Sequence, residues 1–322
     1  MMVPLVACSS RSKVRYLSID DYALGTFVSV ICNTDKSGDE VLAMVREVDE
    51  EIKSSMSIFD ESSRLSRVNR GETDTLDGHI VRNIEIASRF TELSDGAYDI
   101  TIKPLTEAWG FAGGESGGAM PNVDSLLQFV GFGKIALRGE ILVREDERVQ
   151  LDFNSIAKGY TVDVVADRLE SMGVEDYLVN IGGEIRCKGE NRQGKRWTIA
   201  IETPYDGNIE MTSYEKVLSL TDCALATSGN YRRFYYTEDG RKVAHTIDPR
   251  TGYSVVSELL SATVVAPTCA EADAAATMFM ALGSEGGALE LAKRCEAEYG
   301  WHYYFIYSDG EGYRVECSEV FE

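Results

Sequence analysis

The stretch CAEADAAATMFMALG, residues 269–283, constrains this chain more than any other. Alanine, methionine, leucine and phenylalanine run around the whole helical wheel, and a helix apolar all round is buried on most sides. Two polar residues interrupt it. Asp273 and Thr277 stand four apart, so their oxygens point to one side. A carboxylate buried there without a partner would cost several kcal/mol. Either the pair faces solvent near the helix start, or its oxygens serve a hard cation. Mg²⁺ prefers one or two carboxylates with waters and substrate phosphates, so it suits such a pair. Spacing alone leaves both readings open. Thr268 and Glu271 read as a T-x-x-E capping box that sets where the helix begins.

The rest of the chain mixes both kinds of period. GTFVSVIC (25–32) reads as a strand, followed by a helix over 39–55 with Val41, Met44, Val45, Val48 and Ile52 on one face. A second helix spans Asp77 to Ser94, with Ile80, Ile84 and Ala87 inward and Gly96 as its stop. Alternating VQLDF (149–153) predicts a strand, leading through a turn into a helix with Val162, Val165, Ala166 and Leu169 inward. YLVNIGG, RWTIAIE, RRFYYTEDGRKVAHTI and YYFIYSDGEGYRVEC predict strands and hairpins. GGESGGAMPN (113–122) is a glycine-rich loop. Antiparallel hairpins set between helices favour an α+β class over a doubly wound parallel sheet. No repeat and no dividing linker appears, which predicts one domain over 18–322 behind a tail of residues 1–17.

Lys and Arg total 32 against 53 Asp and Glu, a formal charge of -21. That balance argues against nucleic acid, whose affinity rests on cations facing phosphates. A polyanionic small molecule would need a metal or a few placed cations. The seven cysteines form no C-x-x-C pair and give no disulfide framework. Near the amino terminus, Leu5-Val6-Ala7-Cys8 resembles the lipobox of bacterial lipoproteins; a plain tail is the alternative. The lipobox reading places the protein at the cell envelope, anchored through Cys8 and facing the periplasm or exterior, and the plain tail leaves it cytoplasmic.

No phosphate loop, Rossmann glycine fingerprint, nucleophile elbow or H-E-x-x-H occurs. Chemistry must therefore lie in less familiar stretches. LDFNSIAKGYTVD (151–163) carries a strand end into a helix start, where short polar groups gather around anions. Ala226–Gly229 reads as a tight polar turn before a hairpin that returns to His245-Thr246-Ile247-Asp248 and the turn DPRTG. GAYDITIKPLTEAWGF (96–111) sets Asp99 among aromatics that could flank a flat ring or simply pack a core.

Read in order, Leu24-Gly25-Thr26, SIFDESSRLSRVN, GAYDITIKPL with WGF, LDFNSIAKGYTVD, NIGGEI, ATSGNYRRF, HTIDPRTG and EADAAAT resemble the ApbE family of flavin transferases. The resemblance implies a compact α+β fold related to the T-fold, FAD as donor and Mg²⁺ as cofactor. It implies transfer of FMN to a threonine hydroxyl of a partner protein, with release of AMP. Partners of that family are subunits of membrane-bound redox complexes and FMN-binding domain proteins. By position, Ser155, Asp273 and Thr277 match the magnesium ligands. Leu24, Phe59, Ala97, Tyr98, Asp99, Asp152, Lys158 and Ile247 match FAD contacts, and His245 matches a general base. Leu24 stands where relatives usually carry Met, and Phe153-Asn154-Ser155 where they often carry glycines, so Ser155 could bind through its carbonyl. An FAD pyrophosphatase and a flavin-binding lipoprotein without catalysis are the alternative activities.

Overall fold

The computed structural model describes residues 15–321 apart from 24, 113–119, 205–213, 232, 238–239 and 311. Leu24, Cys8 and most of the glycine-rich loop therefore lie outside the described residues. In chain order the elements are strands β1 (Tyr16–Ala23) and β2 (Thr26–Asn33), then helices α1 (Gly38–Met56), α2 (Arg64–Asn69), α3 (Gly78–Leu93), α4 (Lys103–Ala108) and α5 (Val123–Leu127). Strands β3 (Ile135–Arg138) and β4 (Ile141–Arg144) precede helix α6 (Ala157–Ser171). Next come β5 (Tyr177–Ile181), β6 (Glu184–Lys188), β7 (Trp197–Glu202), β8 (Tyr214–Leu220) and β9 (Cys223–Gly229). The chain ends with β10 (Phe234–Tyr236), β11 (Lys242–Ala244), β12 (Leu259–Ala266), α7 (Cys269–Leu282), α8 (Ala288–Tyr299), β13 (His302–Ser308) and β14 (Tyr313–Cys317). The first strand thus starts two residues inside the expected tail.

Eight strands form one sheet in the order β1-β2-β5-β6-β9-β12-β13-β14, and every neighbouring pair is antiparallel. Alternation assigns its two faces. Val28, Val30, Tyr177, Val179, Ala226, Val264 and Phe305 join the core made by α1, α3, α6, α7 and α8. Ile185, Leu225, Val265, Tyr304 and Ile306 face the other way and bury Trp197, Ile199, Ile201 and Leu218 of the β7–β8 hairpin. A third, smaller core of Leu105, Trp109, Val123, Val243 and Ile247 ties α4 and α5 to the β10–β11 hairpin.

Helix α7 sits where its composition demands. All of its residues but Glu271 and Thr277 are buried, and it packs on β9, β12, α6, α3 and α8. The expected capping box forms only in half. Thr268 accepts from the Glu271 N–H at 3.3 Å, but the Glu271 carboxylate takes Arg89 at 2.7 Å. A full capping box occurs instead at Ser37 and Glu40, opening α1.

Two other expectations are corrected. Residues 149–153 form no strand, and only Gln150 makes an isolated parallel bridge, to Ile102. Beside it the buried Asn69 amide accepts from Leu151 N–H and donates to Leu151 C=O, both at 2.8 Å. Ala226–Gly229 is no turn but the end of β9, paired across to β12, where the Thr227 and Thr263 hydroxyls meet at 2.8 Å. Short hydroxylated side chains suit a pleated strand as well as a turn. The two glycines of NIGG make the β5–β6 hairpin turn, both at positive φ (65° and 108°), which a side chain would resist.

Candidate active site

Helices α6 and α7 meet at their first turns. Gly159 is the third residue of α6, and its N–H has no helical carbonyl behind it. It donates instead to Asp273 Oδ2 of α7 at 2.9 Å. One turn along α6, Asp163 accepts from the first two N–H groups of α7, Cys269 at 2.9 Å and Ala270 at 2.8 Å. Each helix lends a carboxylate to the positive end of the other. Glycine is needed for this approach. A Cβ at 159 would stand 2.3 Å from the Cys269 carbonyl oxygen and 2.7 Å from Asp273 Cβ.

Asp273 is 4% exposed, so it does not face solvent. Burial pushes its pKa up to about 7; Glu184 pushes the same way, and Lys158 and the Gly159 N–H oppose them. The β5–β6 turn places Glu184 there. One of its carboxylate oxygens takes Lys158 Nζ at 2.5 Å, while the other is buried with no hydrogen-bond partner. Two buried carboxylates around one ammonium make an electron-rich spot that a divalent cation would suit. Among the described residues no three His, Cys, Asp or Glu side chains gather to hold a metal by themselves. A cation here would draw on Asp273 with hydroxyl, carbonyl, phosphate and water oxygens, a donor set that suits Mg²⁺.

Beside this junction lies a cavity of about 120 Å³ whose walls include Ala97, Tyr98, Asp99, Asp152, Ser155, Ser228, His245, Ile247 and Thr277. Asn154 joins it to a wider cleft of about 530 Å³ lined by Gly25, Phe59 and Lys158. Every expected site residue in the described part of the chain thus lines one of two adjoining hollows, except Asp273, one turn behind Thr277 on α7. Ser155 donates to the Tyr98 hydroxyl at 2.9 Å, and Thr277 meets Ser228 at 3.1 Å. Burial pushes the Tyr98 phenol far up, and Asp273, Asp152 and Asp99 add to it.

The acids differ in what they leave free. Asp99 accepts from the Thr101 N–H and hydroxyl at 2.7 Å each, and from the Phe132 N–H at 2.6 Å. Its carboxylate therefore holds the chain in shape. Asp152 accepts from the Asn154 N–H and the Thr106 hydroxyl, both at 2.9 Å, and burial raises its pKa. His245 follows β11. Its Nδ1 lies 3.3 Å from the Arg233 carbonyl, which can only accept, so this nitrogen carries the proton and Nε2 keeps its lone pair. Burial holds the ring well below the usual histidine range, at about 4, so it is neutral near pH 7.

The ApbE family model matches residues 24–300, most of the chain. The chain belongs to the ApbE family. An FAD:protein FMN transferase of Haemophilus influenzae is 33% identical, aligned over all of this ApbE-family chain and 94% of its own length. A protein of the same name from Vibrio cholerae is 37% identical over 74% of this chain and 72% of its own. Among solved structures, the flavin transferase ApbE from Vibrio cholerae superposes with a TM-score of 0.83 at 30% identity, covering 96% of this chain and 98% of that one. The ApbE protein from Thermotoga maritima gives 0.82 at 27% identity, over 95% and 98%. The α+β class holds for this ApbE fold, with its antiparallel sheet and packed helices.

Sequence reasoning missed four residues of this candidate site. Glu184 and Asp163 lay inside the quoted stretches NIGGEI and LDFNSIAKGYTVD, but only tertiary structure sets them beside Lys158 and Cys269. Thr106 and Ser228 lay inside quoted motifs, yet their roles against Asp152 and Thr277 depend on contacts 46 and 49 residues apart. The other two histidines are engaged elsewhere, His79 between Glu51 and Tyr160 and His302 on Glu296.

Proposed function

We infer that this chain transfers the FMN half of FAD to an acceptor protein and releases AMP. The observation that carries the reading is His245, a neutral imidazole with a free Nε2 lone pair, set on the cavity that also holds Ser155 and Thr277. The family relatives named FAD:protein FMN transferase supply the donor and the reaction class. In this reading the acceptor is a threonine of a redox-complex subunit or an FMN-binding domain protein.

The hydroxyl oxygen attacks the phosphorus on the FMN side of the pyrophosphate. A P–O bond forms to threonine, the bridging P–O bond breaks, and AMP departs with that electron pair. His245 Nε2 takes the hydroxyl proton as the bond forms, and the Arg233 carbonyl holds the opposite nitrogen as the ring becomes charged. Ser155, Asp273 and Thr277 are the residues that would hold Mg²⁺. When bound, the ion supplies positive charge against the pyrophosphate and the departing AMP. FAD would rest on Leu24, Phe59, Ala97, Tyr98, Asp99, Asp152, Lys158 and Ile247. Phe59, 63% exposed on the rim of the wider cleft, offers a ring face, and Lys158 a cation in an otherwise acidic protein.

The test is incubation with FAD, Mg²⁺ and a small acceptor domain, read by the intact mass of that domain. Gain of one FMN, lost with EDTA or with Asp273→Ala, supports the reading. FAD consumed to FMN and AMP without an adduct points to a pyrophosphatase, and FAD left whole to a binding protein.

We also propose anchoring at the cell envelope through Cys8, on the strength of the Leu5–Cys8 quartet. Among the described residues no helix is long and apolar enough to cross a membrane. Incorporation of labelled fatty acid in cells, abolished by Cys8→Ser, tests it; equal labelling in both would end the proposal.

A further inference from the structure

Two cysteines far apart in sequence stand directly opposite each other in the main sheet. Cys187 of β6 pairs with Cys223 of β9, in register after Ile185 with Leu225 and Arg186 with Ala224. Directly paired antiparallel residues have Cα atoms about 4.5–5.5 Å apart, inside the span that a disulfide bridges. Both side chains point to the same face, into the core shared with the β7–β8 hairpin. The strands are fastened just beyond the pair. The Gly189 N–H donates to Asp222 at 3.1 Å, and the Thr221 hydroxyl donates to the Gly189 carbonyl at 2.5 Å. The ladder on one side of the pair and these bonds on the other hold the register. The described cysteines are all free thiols.

We propose that Cys187 and Cys223 form a reversible cross-strand disulfide, made by exchange with a protein or small-molecule disulfide. Access decides the order of events, because Cys187 is 1% exposed and Cys223 only partly covered. Cys223 attacks one sulfur of the incoming disulfide and displaces a thiolate. The mixed disulfide on Cys223 is then attacked by the Cys187 sulfur, which displaces the second thiolate. One S–S bond forms between the two Sγ atoms, and the incoming disulfide takes up two electrons and the two thiol protons.

The link would join β6 to β9 three residues from Glu184 and five from Ser228, so it would brace the strands that carry both. Neither thiol takes part in the proposed transfer. The structural alternative is a pair of small core residues that never cross-link.

Purified reduced protein treated with oxidised glutathione, then alkylated and digested without reductant, provides the test. The expected product is a peptide pair joined through 187 and 223, with the oxidised protein melting about 5 °C higher and reverting with dithiothreitol. Cys187→Ser should trap glutathione on Cys223, and Cys223→Ser should leave Cys187 unmodified in the folded protein. Thiols that all remain free, a stable glutathione adduct on the wild type, or a link to another cysteine would each overturn the proposal.

Discussion

The Arg233 carbonyl decides which nitrogen of His245 can act. Because a carbonyl only accepts, it fixes the proton on Nδ1 and turns the lone pair of Nε2 to the other side of the ring. Burial sets the second property, a pKa of about 4 against about 6.5 for a free histidine. The sign follows from that direction. The native state binds this proton less readily than the unfolded chain, so its contribution to stability is full above about pH 6.5 and is lost as pH falls towards about 4. In the proposed reaction, His245 stays unprotonated over the same interval. The acid limb of kcat/KM for transfer is therefore expected near pH 4, and a limb near the ordinary histidine value would mean that His245 is not the base it titrates. His245→Ala is expected to lower transfer by about 10²- to 10⁴-fold. FAD affinity, measured by flavin fluorescence, should be unchanged; its loss would assign the ring a structural role.

Among the elements, α6 and α7 matter most, because their exchanged carboxylates build the site and the core together. Gly159→Ala forces the helices apart at a contact of 2.3 Å and is expected to cost about 1–3 kcal/mol in urea denaturation. Transfer should weaken more than stability does, since pushing the helices apart lengthens the bond from the residue 159 N–H to Asp273. Unchanged stability would show that the crossing has slack. Asp163→Ala removes two helix-end hydrogen bonds and a 3.0 Å ion pair with Arg186, with an expected loss of about 3 kcal/mol. A loss below ~1 kcal/mol would mean that water replaces the carboxylate. Much of this level was legible beforehand. The inward faces of α1, α3 and α6 follow from apolar residues at helical spacing, and α7 from apolar residues on every side. What stayed hidden was the exchange itself. Asp163 looks like any helical acid until Cys269, 106 residues on, is folded against it. The 149–153 strand failed for a related reason, since alternation does not separate a laddered strand from a segment held by one bridge to Ile102 and by the Asn69 amide.

At the scale of the molecule, the sheet divides labour between its faces. One carries the helices and the candidate site, and the other is closed by the β7–β8 hairpin. The antiparallel architecture was readable from hairpins set between helices, while strand order was not, because β2 pairs with β5 across a separation that no local pattern encodes. Ligands that join α6 to α7 should stabilise the whole. At ~100 times the Kd, a ligand specific for the native state adds about 2.7 kcal/mol, so Mg²⁺ with FAD is expected to raise Tm by a few degrees. The Mg²⁺-dependent part should vanish in Asp273→Ala; an identical rise in that variant would place the cation elsewhere. The Gly159 amide offers a closer view of the same event. Its proton is held by Asp273, so it is a built-in spectroscopic reporter of that carboxylate. Glycine amides resonate apart from most others in nitrogen–proton correlation spectra, and a cation drawing charge from Asp273 would shift this one signal before any product forms.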